Sequence, residues 1–401
     1  MTDKSLKSSL TTVFEQTADD RLATPGMNTA MVLFLVVAVV GIGCGVMAFI
    51  FGHHTIYNNS REMPWGMLIS TYAFWAITST GLCIYAAISH LFGGNRMGIV
   101  SNRMVFMSIV TIMAAFATIG VEIASPHRMI LYNILSPNPT SNIWWMGTLY
   151  GLAVGCMLLE FSSIALGLAG IALTLGVFGA VAEVMANSCL GGVFATLPSR
   201  PYWYGAQLPI YFLTSAFLSG AAAAVMFNYL AYKIRGRKMS EAVVGGVTSA
   251  GKVMTLVLIL YTVATFWRLV SFFVGGTELG RVAAGALIDG PLAINFWVLE
   301  IVVGLVLPLV LIVITRLKSI PTMAFAGFLI LFGQFVARYD LVVVGQIVPQ
   351  NLGWDGMPTY LSYIPSIFEF GVIMGGIGVV ALGFLVGERM FGRLFDQKEH
   401  H

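Results

Sequence analysis

Ten apolar segments, each long enough to cross a bilayer, fill most of this 401-residue chain, and charge is nearly excluded from them. A helical span needs roughly 20 apolar residues to cross about 30 Å of hydrocarbon. Water is absent there, so each segment must satisfy its own backbone hydrogen bonds, and a continuous apolar run does so as a helix. The predicted spans are 30–51, 66–92, 104–123, 144–166, 167–187, 206–232, 253–273, 295–314, 322–344 and 362–387. Composition agrees, with 58% hydrophobic and 10% charged residues and a mean hydropathy of +0.86. The expected fold class is therefore an all-α polytopic membrane protein with the lipid bilayer as its solvent. Residues 1–29 and 389–401 are expected as tails around a transmembrane domain over 30–388. The polar first segment lacks a basic start followed by an apolar run, so it does not read as a signal peptide.

Loop charge predicts the orientation. Of 21 Lys and Arg, Arg61, Arg128, Arg200 and Arg281 fall between spans on one side, and Arg268 and Arg338 fall inside spans. The remaining fifteen lie on the other side, with both tails. Positive residues stay cytoplasmic, so both termini are expected in the cytoplasm and the chain in the inner membrane. The basic run 233–238 is explained by the same rule, and the net charge of +3 calls for no nucleic-acid partner. Cys44, Cys83, Cys156 and Cys189 are scattered, with no CxxC pair to suggest an iron–sulfur or zinc site. His53, His54, His90 and His127 fall at or beyond span ends, so no haem ligand pair and no metal site is expected.

A weak internal repeat is visible. The second span opens with Pro64-Trp65-Gly66 and carries Thr80-Gly81 half-way down. The sixth opens with Pro201-Tyr202-Trp203 and carries Ser219-Gly220 at nearly the same offset. Two four-helix bundles, spans two to five and six to nine, would follow, flanked by spans one and ten. Small residues at those positions would let helices approach closely.

Charges within the spans are the main clue to chemistry, because a charge at that depth is costly unless it is paired or functional. Arg268, Glu300, Arg338, Asp340 and Glu369 are all expected in the outer part of spans seven to ten. They are expected either as ion pairs that fix helix packing or as a proton- or quinone-handling site. A second set belongs to the first bundle: Glu122 at the outer end of span three, then His127 and Arg128, with Tyr72 two turns into span two. Glu183 is expected about one turn below the outer end of span five. A quinone needs an apolar slot, donors to its carbonyls and a proton acceptor, and these side chains supply those types. Glu160, near the inner end of span four, either begins a proton route toward Glu183 or Glu122 or simply snorkels to the interface.

The ordered motifs resemble the NrfD/PsrC family, the quinone-interacting membrane subunits of complex iron–sulfur molybdoenzymes and related respiratory complexes. Pro64-Trp65-Gly66 is similar to the family's PWG, and Arg200-Pro201-Tyr202-Trp203, Leu208-Pro209 and Ser215 to Gly220 to its RPxW…LP…SAxxSG stretch. Ser136-Pro137-Asn138-Pro139-Thr140-Ser141 with Trp144-Trp145-Met146-Gly147 resembles the loop after span three. Phe266-Trp267-Arg268, Phe296 to Glu300 and Tyr363-Ile364-Pro365-Ser366 are similar to the ten-helix branch typified by HybB, HmcC and DsrP. The resemblance implies a diffusible menaquinone or other quinone bound near the outer face of the first bundle, with no haem or Fe–S cluster in this chain. It adds Trp65, Asn138 and Trp145 to Tyr72, His127 and Arg128 as expected quinone contacts. It also implies a ferredoxin-like iron–sulfur subunit docked on the outer side, further redox subunits of cytochrome c or molybdoenzyme type, and electron exchange between them and the quinone. Protons would exchange through the outer carboxylates, or from the cytoplasm via Glu160 if the complex conserves energy. One departure stands out. Glu122-Ile123-Ala124-Ser125-Pro126 occupies the place of the family's Asp-x-Gly-Arg-Pro, with Arg128 as the nearest arginine. Two rival readings share the same spans: a secondary transporter, and a passive anchor for redox subunits.

Overall fold

The computed structural model describes residues 25–92 and 94–396. Lys4, Lys7, Arg21 and Lys398 of the orientation argument lie outside the described residues, as do 1–24 of the first tail. Among the described residues ten helices are long and apolar enough to cross a membrane. They are α1 (Pro25–Phe51), α2 (Met67–Phe92), α3 (Gly94–Glu122), α4 (Asn142–Ala165) and α5 (Ala169–Ala195). They continue as α6 (Gln207–Ile234), α7 (Glu241–Val274), α8 (Asn295–Thr315), α9 (Ile320–Ile347) and α10 (Ile367–Asp396). Short helices Pro126–Leu135 and Glu278–Ile288 lie in two connections on one face. With ten spans, the described ends of α1 and α10 share the opposite, basic face; the proline- and tryptophan-rich connections form the aromatic face.

Local chemistry sets the helix ends. Ser141, Ser240 and Ser319 each accept a backbone N–H of the first turn, from Trp144, Val243 and Thr322. The cap at Ser240 starts α7 twelve residues before its apolar run, making it 34 residues long. Two boundaries change the expected depth of a carboxylate. Helix α5 continues past Asn187 to Ala195, burying Leu190 and Phe194, so Glu183 lies near the middle of its helix and not one turn from its end. Residues 362–366 are not helical, because Pro365 disfavours helix at the residue before it. Helix α10 therefore begins at Ile367 and continues through 389–396 of the expected second tail. Glu369 falls in its first turn, closer to the helix start than a span opening at residue 362 would place it.

The packing follows the repeat. α2 packs on α3 and α5 as α6 packs on α7 and α9. α5 meets α6 as α9 meets α2, and the two bundles join where α2 crosses α6. At that crossing Gly81 and Gly220 face each other so closely that a Cβ on Gly220 would lie 2.2 Å from the Gly81 carbonyl carbon. At the aromatic end of the same junction Trp65 stacks on Trp203, with ring centroids 5.3 Å apart. α1 and α10 flank the bundles, with α1 against α10 and α10 against α3. Helix α8 opens as a π-helix, Asn295–Val306, upstream of Pro308. Proline cannot donate to the preceding turn and crowds its carbonyl, and the wider coil accommodates this.

Candidate functional site

The first cluster lies on the aromatic face, where the connection between α1 and α2 folds over the ends of α3 and α10. Glu122, the last residue of α3, accepts from Asn59 Nδ2 at 3.0 Å, while its Oε2 is buried without a hydrogen-bond partner. Glu369 is fully buried. Its Oε2 accepts from the backbone N–H of Ser366 at 2.8 Å and of Asn58 at 3.2 Å, and the Tyr363 hydroxyl donates to its Oε1. Ser366 Oγ accepts the Glu369 N–H in return, a reciprocal capping box written in the sequence as Ser-x-x-Glu. The Tyr363 oxygen also accepts the Met67 N–H at 2.7 Å, which ties the start of α2 to this cluster. Tyr57 donates to the Val121 carbonyl at 3.1 Å. Burial, then the Glu122 and Glu369 charges, raise the Tyr57 phenol above its ordinary range. Burial and Glu369 do the same to Tyr363. Both phenols therefore remain protonated donors beside two carboxylates.

The second cluster runs through the first bundle. Glu183 is fully buried, with Thr80 Oγ1 donating to Oε2 at 2.6 Å and Ser79 Oγ to Oε1 at 3.3 Å. At the basic end, His90 Nδ1 lies 3.7 Å from Glu160 Oε1, both side chains buried. Glu160 rests against Gly176, where a Cβ would lie 2.5 Å from Oε1. Gly176 and Glu183 are seven residues apart on α5, a rise of about 10 Å. Glu160 thus sits roughly two turns below Glu183, in protein and not at the interface.

The third cluster occupies the second bundle. Arg268, Glu300 and Asp340 line a cavity of about 20 Å³ together with Tyr202, Tyr211 and Phe296. A water needs about 10–15 Å³ of such space, so the cavity suits one water and excludes a quinone ring. The expected ion pairs do not form as side-chain contacts. Arg268 stacks on Tyr202 at 4.5 Å and donates to its carbonyl at 3.3 Å. Arg338 stacks on Phe212 at 4.8 Å and donates to Ser215 and Tyr261. Asp340 accepts from Asn295 at 3.3 Å and keeps Oδ2 without a hydrogen-bond partner.

Two expected groupings are corrected. Glu369 does not join Arg268, Glu300, Arg338 and Asp340; it joins Glu122, because depth along a helix does not fix position around the bundle. The slot expected from Tyr72, His127, Arg128 and Glu122 is not assembled. Tyr72 is buried with its hydroxyl 3.5 Å from Met146 Sδ, whereas His127 and Arg128 are exposed on the short helix Pro126–Leu135, which buries none of its residues. Asn138 and Trp145 fasten that loop to itself: Asn138 Oδ1 accepts from Thr140 at 2.7 Å, and Trp145 Nε1 donates to the Pro139 carbonyl at 2.9 Å. Trp65 is held through its backbone by the Gln346 side chain, at 3.1 Å and 2.7 Å.

One cluster was not foreseen. Arg103 and Arg235, expected as loop charges, are buried on the basic face with Glu388 and Asp396 of α10. Arg103 Nε donates to Glu388 at 2.6 Å and its Nη1 to Asn228 at 2.5 Å. Arg235 donates to Glu388, and to Asp396 at 2.8 Å. The signal for it was Glu388, Gly392 and Asp396 at helical spacing, two acids flanking a glycine that admits Arg235. Among the described residues no group of three or more His, Cys, Asp or Glu side chains is arranged to hold a metal ion.

A family profile described as polysulphide reductase, NrfD, matches residues 55–350. The chain is 25% identical to the Hdr-like menaquinol oxidoreductase integral membrane subunit of Archaeoglobus fulgidus, over 86% of this chain and 89% of that protein. It is 27% identical to a selenate reductase subunit of Mesobacillus selenatarsenatis, over 59% of this chain and 53% of the relative. A protein of Nitratidesulfovibrio vulgaris is 22% identical over 88% of this chain and 89% of its own length. With ten membrane-spanning helices in two bundles and a profile match over most of its length, the chain belongs to the NrfD family of integral membrane subunits.

Proposed function

We propose that this chain is the quinone-reactive subunit of an inner-membrane oxidoreductase, with its basic face and both termini in the cytoplasm. It exchanges electrons between menaquinol or menaquinone and a ferredoxin-like iron–sulfur subunit on the aromatic face, in company with further redox subunits. The menaquinol oxidoreductase naming of one relative supports the substrate class. The observation that carries the reading is the Glu122–Glu369 cluster: two carboxylates beneath the aromatic face, partnered by amides and phenols, with Glu122 Oε2 left unpartnered.

A quinol gives up two electrons and two protons on oxidation. The electrons leave to the iron–sulfur partner. Glu122, with its free oxygen, is suited to accept a proton, and Tyr363 is placed to pass one to Glu369. For quinone reduction the same groups act in reverse. The buried series His90, Glu160 and Glu183, with Thr80 and Ser79 as donors, supports a proton route between the cytoplasm and the membrane interior, so that the complex conserves energy. The test is quinol turnover by the assembled complex with Glu122→Gln and Glu369→Gln combined. Turnover is expected to fall at least tenfold with the complex intact; undiminished turnover contradicts the proposal.

A further inference from the structure

One large apolar space is not used by any step above. It is a groove of about 580 Å³ lined by residues of α1, α2, α3, α6, α9 and α10. Its wall is hydrocarbon almost throughout: Phe74, Trp75, Phe227, Phe335, Ile377 and Phe384 dominate it. It opens sideways between α9 and α10, which make no substantial contact with each other. At the opening, Phe328 is 52% and Ile377 is 40% exposed. Since these helices span the bilayer, whatever fills the groove comes from the hydrocarbon phase.

Its upper end decides the occupant. Thr71 and Ile373 line that end. Thr71 is one helical turn below Met67, whose N–H is bound by Tyr363. Ile373 is one turn below Glu369, which Tyr363 also binds. The groove thus begins about 6 Å beneath the carboxylate cluster and descends along α10 to Leu385, about 18 Å at 1.5 Å per residue. One flexible chain of about 18 Å, laid along α10 with its polar end at the cluster, follows that path.

We infer that the groove holds the isoprenoid side chain of a lipid quinone whose ring lies at the Glu122–Glu369 cluster. This rests on the proposed quinone chemistry and adds a tail site to it. The tail leaves lipid, not water, so its gain is packing rather than hydrophobic transfer, and the expected preference is modest.

The test uses the full chain in nanodiscs and two naphthoquinol analogues, one without a side chain and one with a long isoprenoid side chain. The unmodified chain is expected to bind the long analogue roughly tenfold more tightly. Ala381→Phe places a ring in the groove and is expected to abolish that preference, while leaving binding of the tailless analogue unchanged. A milder variant, Ile377→Phe at the rim, guards against misfolding and is expected to shift the preference in the same direction. Equal affinity for both analogues in the unmodified chain overturns the tail site alone. So does a phospholipid, seen by mass spectrometry, that stays bound when the long analogue saturates. If neither analogue binds, the quinone reading fails and this inference with it.

Discussion

Replacing Glu388 with Gln tests whether the buried charges on the basic face hold the fold together. Glu388 and Arg103 are each about 1% exposed, and Glu388 accepts from both Arg103 and Arg235. The variant would leave two buried guanidinium groups sharing Asp396, which is 24% exposed. Breaking a buried pair by removing one partner costs about 3–5 kcal/mol, because it strands the other charge. A loss of that size is a large part of an ordinary folding free energy of about 5–15 kcal/mol. Removing one charge of each sign, with Arg103→Met and Glu388→Met together, leaves the Arg235–Asp396 pair at 2.8 Å and a neutral site. The double variant should therefore lose less than the sum of its single changes, by about 0.5–3 kcal/mol. Reversible unfolding in mixed detergent micelles, followed by tryptophan fluorescence, measures both. A Glu388→Gln protein within about 1 kcal/mol of the parent, or strict additivity in the double variant, would refute the reasoning.

Other outcomes follow from single contacts. Gly220→Leu drives a side chain into the Gly81 backbone, which cannot yield, so no monodisperse protein is expected by size exclusion; a monodisperse one contradicts the crossing. Thr80→Val removes the 2.6 Å donor to Glu183 and should cost about 1–3 kcal/mol in the same unfolding assay, with an unchanged midpoint counting against it. Glu160→Gln should slow proton uptake from the cytoplasmic side by at least tenfold in proteoliposomes holding the assembled complex, with quinol binding retained; an unaltered uptake rate removes Glu160 from the route.

The amino-acid order made the ten spans legible because apolar length is what a bilayer selects, and the two-bundle arrangement followed from Gly81 and Gly220 at matching offsets. What it concealed were helix ends and azimuths. The hydrophobic run of α5 was long enough to cross by Asn187, and nothing apolar marks where a helix stops after that, so Glu183 was placed too near the surface. Glu369 was grouped with Arg338 by depth alone, although its Ser-x-x-Glu capping box already marked a helix start. Arg103 and Arg235 satisfy the positive-inside pattern, and that sufficient explanation hid their partners on α10. The loop residues Asn138 and Trp145 carried a family pattern whose local role, closing a turn, needs coordinates to see.

The central claim is that quinol chemistry belongs to the Glu122–Glu369 cluster. Its most direct test is saturable binding of a fluorescent quinol analogue to the purified chain, compared with Glu122→Gln and with Glu300→Gln. Saturable binding weakened at least tenfold by Glu122→Gln and unchanged by Glu300→Gln is the predicted result. Binding that is lost with Glu300→Gln and indifferent to Glu122→Gln would contradict the account and move the site to the second bundle.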